Sequence, residues 1–212
     1  MATTQTAVPN HHAHYSDFAG LPGLIAAAVM LYGGERNARL ARQLCGLGEG
    51  DTVVDIGCGP GGAVRYAARV GASAVGVDRA PVMLRVARLA TRGVDRVRFA
   101  RGSAEAVPLR DSSVTVLWSI ACVHHWADLD AGLAEARRVL QPGGRLVAIE
   151  RHSAPDARGL ASHGWTERQA AAFADRCATS GFDDLQSRAH KVGRRATLSV
   201  TATAGPGYVA PG

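Results

Sequence analysis

Residues 53–62, Val-Val-Asp-Ile-Gly-Cys-Gly-Pro-Gly-Gly, constrain the fold of this chain more than any other segment. A short run of β-branched residues reads as a buried strand. It passes into a turn holding Gly57, Gly59, Gly61 and Gly62, and residues 63–69 then read as a helix. Strand, glycine turn and helix make a nucleotide-binding element. Glycine lets the backbone pass close under a ligand, and the first N–H groups of the helix are free to donate. Gly57 is assigned that close approach.

The glycines alone leave the nucleotide open, because Gly57, Gly59 and Gly62 also satisfy the dinucleotide fingerprint G-x-G-x-x-G. Asp55 discriminates. A carboxylate two residues before the first glycine repels a pyrophosphate and suits a ligand carrying an ammonium and a positive sulfur. S-adenosylmethionine (SAM) carries both. The segment resembles the D-x-G-x-G-x-G turn of class I SAM-dependent methyltransferases, here Asp55, Gly57, Gly59 and Gly61. Cys58, inside the turn, reads as a small packing residue beside the cofactor.

Strands and helices alternate from there. Strands are expected at 52–56, 74–78, 97–100, 114–120 and 145–150, with helices at 62–70, from Pro81, from a cap at Asp128 to about 140, and over 166–180. Residues 141–144, Gln-Pro-Gly-Gly, read as a helix stop. Repeated β-α units imply a parallel sheet covered on both faces. Two last strands, 182–190 and 196–203, are joined by a link too short for a parallel crossover, so they pair antiparallel. The expected fold is α/β, a Rossmann-like doubly wound seven-stranded sheet with its last strand antiparallel. It resembles the class I methyltransferase sheet over roughly residues 35–203 and departs from the dehydrogenase pattern. The division expected is a tail and lid helix over 1–33, a SAM-binding domain over 34–204 and a flexible tail over 205–212.

Composition narrows the class. The chain has 212 residues, enough for one domain with a sizeable core, and is 47% hydrophobic and 20% charged. The net charge of +6 permits an acidic partner. Nearly all of the basic side chains are arginine, which fits coding bias as well as function. The densest basic run, Arg188, His190, Lys191, Arg194 and Arg195, reads as a solvated hairpin. The four cysteines form no C-x-x-C pair, which points to reduced thiols and a cytoplasmic location. The apolar run 21–32 is too short to span a bilayer and lacks the charged start of a signal peptide. His11, His12 and His14 read as a solvated tail, and no metal site is assigned.

Further positions carry the cofactor reading. Asp78 closes the second strand, where a carboxylate accepts from both ribose hydroxyls or caps the helix that Pro81 opens. Arg79 follows, placed along the adenine. Residues 102–109, Gly-Ser-Ala-Glu-Ala-Val-Pro-Leu, resemble the G-D-A-x-x-L-P-F segment of the small-molecule methyltransferases related to ubiquinone and menaquinone C-methylation enzymes, the methyltransferase type 11 family. That resemblance places Ser103 where the family's acidic residue accepts from the adenine amino group, and Ala104 where an N–H meets the ring. Residues 112–119 resemble the family's D-x-S-F-D-x-V pattern, with Thr115 in place of the second Asp. Ser119 ends the fourth strand, where ligands of open α/β sheets sit.

His124 and His125 come next, close to where the transferred methyl lies. An imidazole there takes a proton from a hydroxyl nucleophile, or fixes the loop against the core. Glu150 and His152 leave the fifth strand toward the same rim. Tyr15, Phe18 and Trp126 are candidate walls of an acceptor pocket.

The function expected is SAM-dependent methyl transfer to a small-molecule acceptor by direct displacement, releasing S-adenosylhomocysteine (SAH). RNA methylation and non-catalytic SAM or SAH binding are the alternatives, the latter motivated by Ser103 and Thr115. No RNA-binding module is appended. Oligomeric state is not legible.

Overall fold

The computed structural model describes residues 35–206. The expected lid helix over 21–32, the tail histidines, Tyr15 and Phe18 lie outside the described residues. The chain runs α1 (Glu35–Cys45), β1 (Thr52–Ile56), α2 (Gly62–Arg69), β2 (Ser73–Asp78), α3 (Pro81–Ala90), β3 (Val97–Arg101) and β4 (Val114–Ile120). A 3-10 turn (Val123–His125) leads to α4 (Leu129–Val139) and β5 (Leu140–Arg151). A second 3-10 turn (Gly159–Ser162), α5 (Glu167–Thr179), β6 (Phe182–Val192) and β7 (Arg195–Ala204) complete it.

The seven strands form one sheet in the order β3-β2-β1-β4-β5-β7-β6. β1 to β5 pair in parallel, while β7 is antiparallel to both β5 and β6. The order reverses between β1 and β4, so a crevice opens beyond the carboxyl ends of those strands, where such sheets bind ligands.

The side-chain period of two sends alternate residues into two cores. Val54, Ile56, Leu117 and Leu146 face α4 and α5, meeting Leu133, Ala136, Phe173 and Cys177. Val53, Val116, Trp118, Val147 and Ile149 face α1 and α2, meeting Ala38, Ala41, Val64 and Ala67. Helix α3 buries Met83, Leu84 and Ala87. Leu84 joins the second core.

Helix α4 starts at Asp128, whose carboxylate accepts from the N–H groups of Asp130 and Ala131. Thr166 and Gln169 form a reciprocal capping box on α5. The helix stops at Val139, and residues 141–144 belong to β5, which begins at Leu140, directly after α4. Leu140 is extended (φ −75°, ψ 137°) and pairs with Val114, with a register irregularity before the ladder resumes at Val116–Arg145. The Pro-Gly-Gly residues are absorbed as a strand irregularity.

The basic run lies on edge strand β6 and its hairpin, where His190 Nε2 sits 2.8 Å from Ser199 Oγ. Exposed charge on an edge strand blocks edge-to-edge pairing. Gly205 is held at both ends: its N–H donates to Gly181, and its carbonyl accepts from Arg137. The ordered domain therefore reaches past residue 204.

Candidate active site

The glycine turn is strapped to the end of β2. The N–H groups of Gly57 and Cys58 both donate to the Val77 carbonyl, at 2.8 and 3.0 Å, and Gly59 N–H donates to Asp78 Oδ2 at 2.8 Å. Gly57, Gly59 and Gly61 have φ of 75°, 50° and 78°, a region that favours glycine. Their surroundings differ. A Cβ on Gly57 would collide with the Cys122 side chain, whereas one on Gly59 would meet nothing within 4 Å. The open approach expected at Gly57 therefore belongs to Gly59, and Gly57 is required by protein packing. Gly61 faces Phe99 and Ala87, so it too is a packing glycine.

Two carboxylates meet at this turn. Asp78 also accepts from Ala80 N–H at 2.8 Å through Oδ1, so it pins the turn and the start of α3 together. Asp55 is buried at 3% exposure, and its Oδ1 has no hydrogen-bond partner among the described residues. Burial, reinforced by the charge of Asp78, pushes its carboxyl up to about 8. A buried carboxylate beside a second one marks a place that a cationic ligand would complete.

The other predicted cofactor residues are distributed less directly. Cys58 is buried with its Sγ against Gly76, in the core rather than the crevice. Burial, then Asp55 and Asp78, holds its thiol well above the ordinary value, so it is no nucleophile. Arg79 is exposed. Ser103 bridges to Ala106 through its backbone, and Ala104 is buried at 4%. Ser119 is buried, its hydroxyl donating to the Ile56 carbonyl at 3.5 Å. Glu105, not singled out in the sequence, accepts from Ala127 N–H at 2.7 Å and Asp128 N–H at 3.2 Å, tying this segment to the start of α4.

Thr115 lies at the opposite end of the sheet. Its hydroxyl donates to Asp51 Oδ1 at 2.7 Å and accepts from Thr52 N–H at 3.1 Å. Arg145 also holds that carboxylate. Thr115 thus fixes strand ends remote from the crevice, and its departure from the family pattern does not bear on cofactor binding.

Beyond β4, Ala121 turns the chain with φ 55°, a costly conformation for a non-glycine residue. Cys122 follows, its thiol held well above the ordinary value by burial and by the charges of Asp78, Glu150 and Asp55. Its side chain packs against Gly57 of the glycine turn. His124 is buried, and its Nδ1 lies 2.8 Å from Glu150 Oε2. Glu150 Oε1 accepts from the His124 backbone N–H at 3.3 Å. One carboxylate therefore holds both the ring and the turn. Trp126 is not the pocket wall expected: it is 3% exposed, packed over Gly132 and edge-on to Phe173. A large apolar ring next to α4 and α5 gains more from the core than from the crevice.

The structure adds a residue that the sequence reading missed. His163 comes to 5.5 Å, centroid to centroid, from both His124 and His125, whose rings are 4.0 Å apart. No periodicity or motif links position 163 to the pair at 124–125.

Known proteins share this frame. Residues 54–148 match the family profile described as "Methyltransferase domain". The chain has the class I methyltransferase fold. Over 112 residues it is 33% identical to a demethylmenaquinone methyltransferase of Tropheryma whipplei, covering 53% of this chain and 46% of that one. It is 35% identical over 133 residues to the 27-O-demethylrifamycin SV methyltransferase of Amycolatopsis mediterranei, covering 59% and 49%. The chain spans about half the length of the curated relatives it matches. A crystal structure of a SAM-dependent methyltransferase from Aquifex aeolicus superposes with a TM-score of 0.72 at 19% identity, covering 85% of this chain and 98% of that one. The paired carboxylates and the open face of Gly59 fit a cationic ligand such as SAM.

Proposed function

We propose that this protein transfers a methyl group from SAM to a small-molecule acceptor. The observation that carries the reading is the buried Asp55 carboxylate, without a hydrogen-bond partner at Oδ1 and beside Asp78 at the end of β1. Asp55 would meet the ammonium group, directly or through water. Asp78 would accept from the ribose hydroxyls, and Gly59 would leave room for the chain between them. Arg79, Ser103 and Ala104 are assigned to the adenine end, and Ser119 to the rim. Bound SAM supplies an electrophilic methyl on a positive sulfur, open to attack in a single displacement. The protein's own contribution is alignment of acceptor and carbon, which supplies most of the acceleration in such a step.

His124 is assigned the acceptor's proton. With Glu150 accepting from Nδ1–H, the neutral ring keeps its lone pair on Nε2. His125 stands beside it as the second candidate. The acceptor would lie between this turn and residues 151–165. The catalytic domain is taken as 34–204, with Gly205 anchoring its end. Four free cysteines fit a cytoplasmic protein. Among the described residues, no helix is long and apolar enough to cross a membrane.

Calorimetry with SAM and SAH, and with NAD as control, tests the cofactor. Micromolar binding of SAM or SAH with none of NAD is expected, and nicotinamide binding without SAM affinity would overturn the reading. A radiolabelled methyl-transfer screen over phenols, hydroxylated quinones and macrolide-like alcohols then tests the acceptor class.

A further inference from the structure

We infer that His124, His125 and His163 form a site for one divalent transition-metal ion, zinc being the best match. Each ring offers one ligand nitrogen, and the three nitrogens lie within 4.8 Å of one another. Around a tetrahedral zinc with Zn–N bonds of about 2.0–2.1 Å, the nitrogens stand roughly 3.3 Å apart. Small side-chain rotations close that difference. The ring centroids around such an ion would stand roughly 5 Å apart. His163 already lies 5.5 Å from each partner, at interplanar angles of 82° and 62°, so it faces both rings edge-on; His124 and His125, 4.0 Å apart at 42°, would have to open by about 1 Å.

The surroundings are those of a built site. Glu150 accepts from Nδ1–H of His124, which fixes the tautomer and leaves Nε2 as the ligating atom. A carboxylate behind a ligating imidazole raises its basicity and sets its direction. His124 and His125 ride on one 3-10 turn. His163 is carried by an anchored segment: Trp165, two residues on, exchanges backbone hydrogen bonds with Ser153 and Arg151 and is buried against Phe173. The site therefore joins the rim after β4 to the segment after β5, with ligands 39 residues apart in the chain.

The donor set selects the ion. Three neutral imidazoles suit zinc, copper, nickel and iron, and poorly suit magnesium or calcium, which take oxygen ligands. Three protein nitrogens leave a fourth tetrahedral position open. Zinc on Nε2 of His124 would occupy the lone pair assigned to the acceptor's proton. That consequence rests on the proposed function; the metal site itself does not.

The test uses the full chain, stripped of metal by chelator and titrated with Co2+ as a spectroscopic probe. Zn2+ then displaces it. One Co2+ per chain, with ligand-field absorption of tetrahedral strength, is expected. His163→Ala and, in parallel, His125→Ala should abolish that signal while leaving SAM binding intact. Glu150→Gln should weaken the site roughly 10- to 100-fold, the usual loss on removing such a carboxylate. A variant with His11, His12 and His14 all changed to Ala should retain the signal. Absence of a one-to-one Co2+ spectrum would overturn the site. So would a spectrum that survives His163→Ala and His125→Ala, or one lost with the tail histidines. Failure of SAM to bind in the same preparation would count against the proposed function alone.

Discussion

Replacing Asp55 by Asn isolates the charge at the base of the cofactor crevice. With the carboxyl raised to about 8, Asp55 is largely protonated at neutral pH before any ligand arrives. A cationic ligand needs it ionised, so binding at pH 7 would release about 0.9 proton from this residue. The apparent affinity for SAM would then tighten about ninefold between pH 6 and pH 7, because the protonated fraction must be displaced. Asp55→Asn keeps the size and loses the charge. It should cost roughly 1.5–3 kcal/mol of binding, the worth of a hydrogen bond to a charged group, and remove the proton release. Calorimetry in two buffers of different ionisation enthalpy reads both quantities. A wild-type affinity that is flat from pH 6 to 7, or a variant that binds like wild type, would refute the reasoning.

The same carboxyl has an effect without ligand, of opposite usefulness. Its folded-state value lies above the unfolded one, so its contribution to stability is present below about pH 4 and is lost as pH rises through about 8. Asp55→Asn should therefore raise the melting temperature of the ligand-free protein most at pH 8–9.

Three further perturbations separate the roles of neighbouring residues. Gly57→Ala should unfold the turn, because its Cβ collides with Cys122, whereas Gly59→Ala should fold with a penalty of about 1–2 kcal/mol for its left-handed backbone and lose SAM affinity; thermal melts and calorimetry on both variants distinguish them. Thr115→Val should cost about 1–3 kcal/mol of stability in a denaturant melt, since it strips a partner from Asp51 and from Thr52 N–H, with SAM affinity unchanged. Glu150→Gln should lower kcat and alter the pH profile of methyl transfer while sparing SAM affinity, because it weakens the hold on the His124 ring and its 3-10 turn without touching the glycine turn; an unchanged profile would remove His124 from proton transfer.

Much of the architecture was legible because its signals are local. The bounds of β1 and β4 follow from β-branched runs. The caps at Asp128 and Thr166 follow from side chains that satisfy the first N–H groups of a helix. The place of Asp55 and Asp78 beside the glycine turn was legible because each sits at the end of a strand that reaches it. The antiparallel place of β7 was legible from the shortness of its link to β6. These are properties of a few consecutive residues, and a few consecutive residues suffice to read them.

Tertiary structure decided what depends on residues far apart in the chain. Gly57 and Gly59 look alike in sequence, and only the approach of Cys122 makes one a packing residue and leaves the other open. Thr115 reads as part of a motif beside the cofactor, yet its position at the start of β4 commits it to Asp51 at the far end. Trp126 reads as a pocket wall, and burial against Gly132 and Phe173 takes it into the core. His163 carries no periodic or spacing signal at all. It meets His124 and His125 because two connecting segments leave adjacent parallel strands at the same edge of the sheet. Chain-local chemistry determined the elements and the cofactor turn; sheet register, which brings distant residues to one rim, decided which side chains share it.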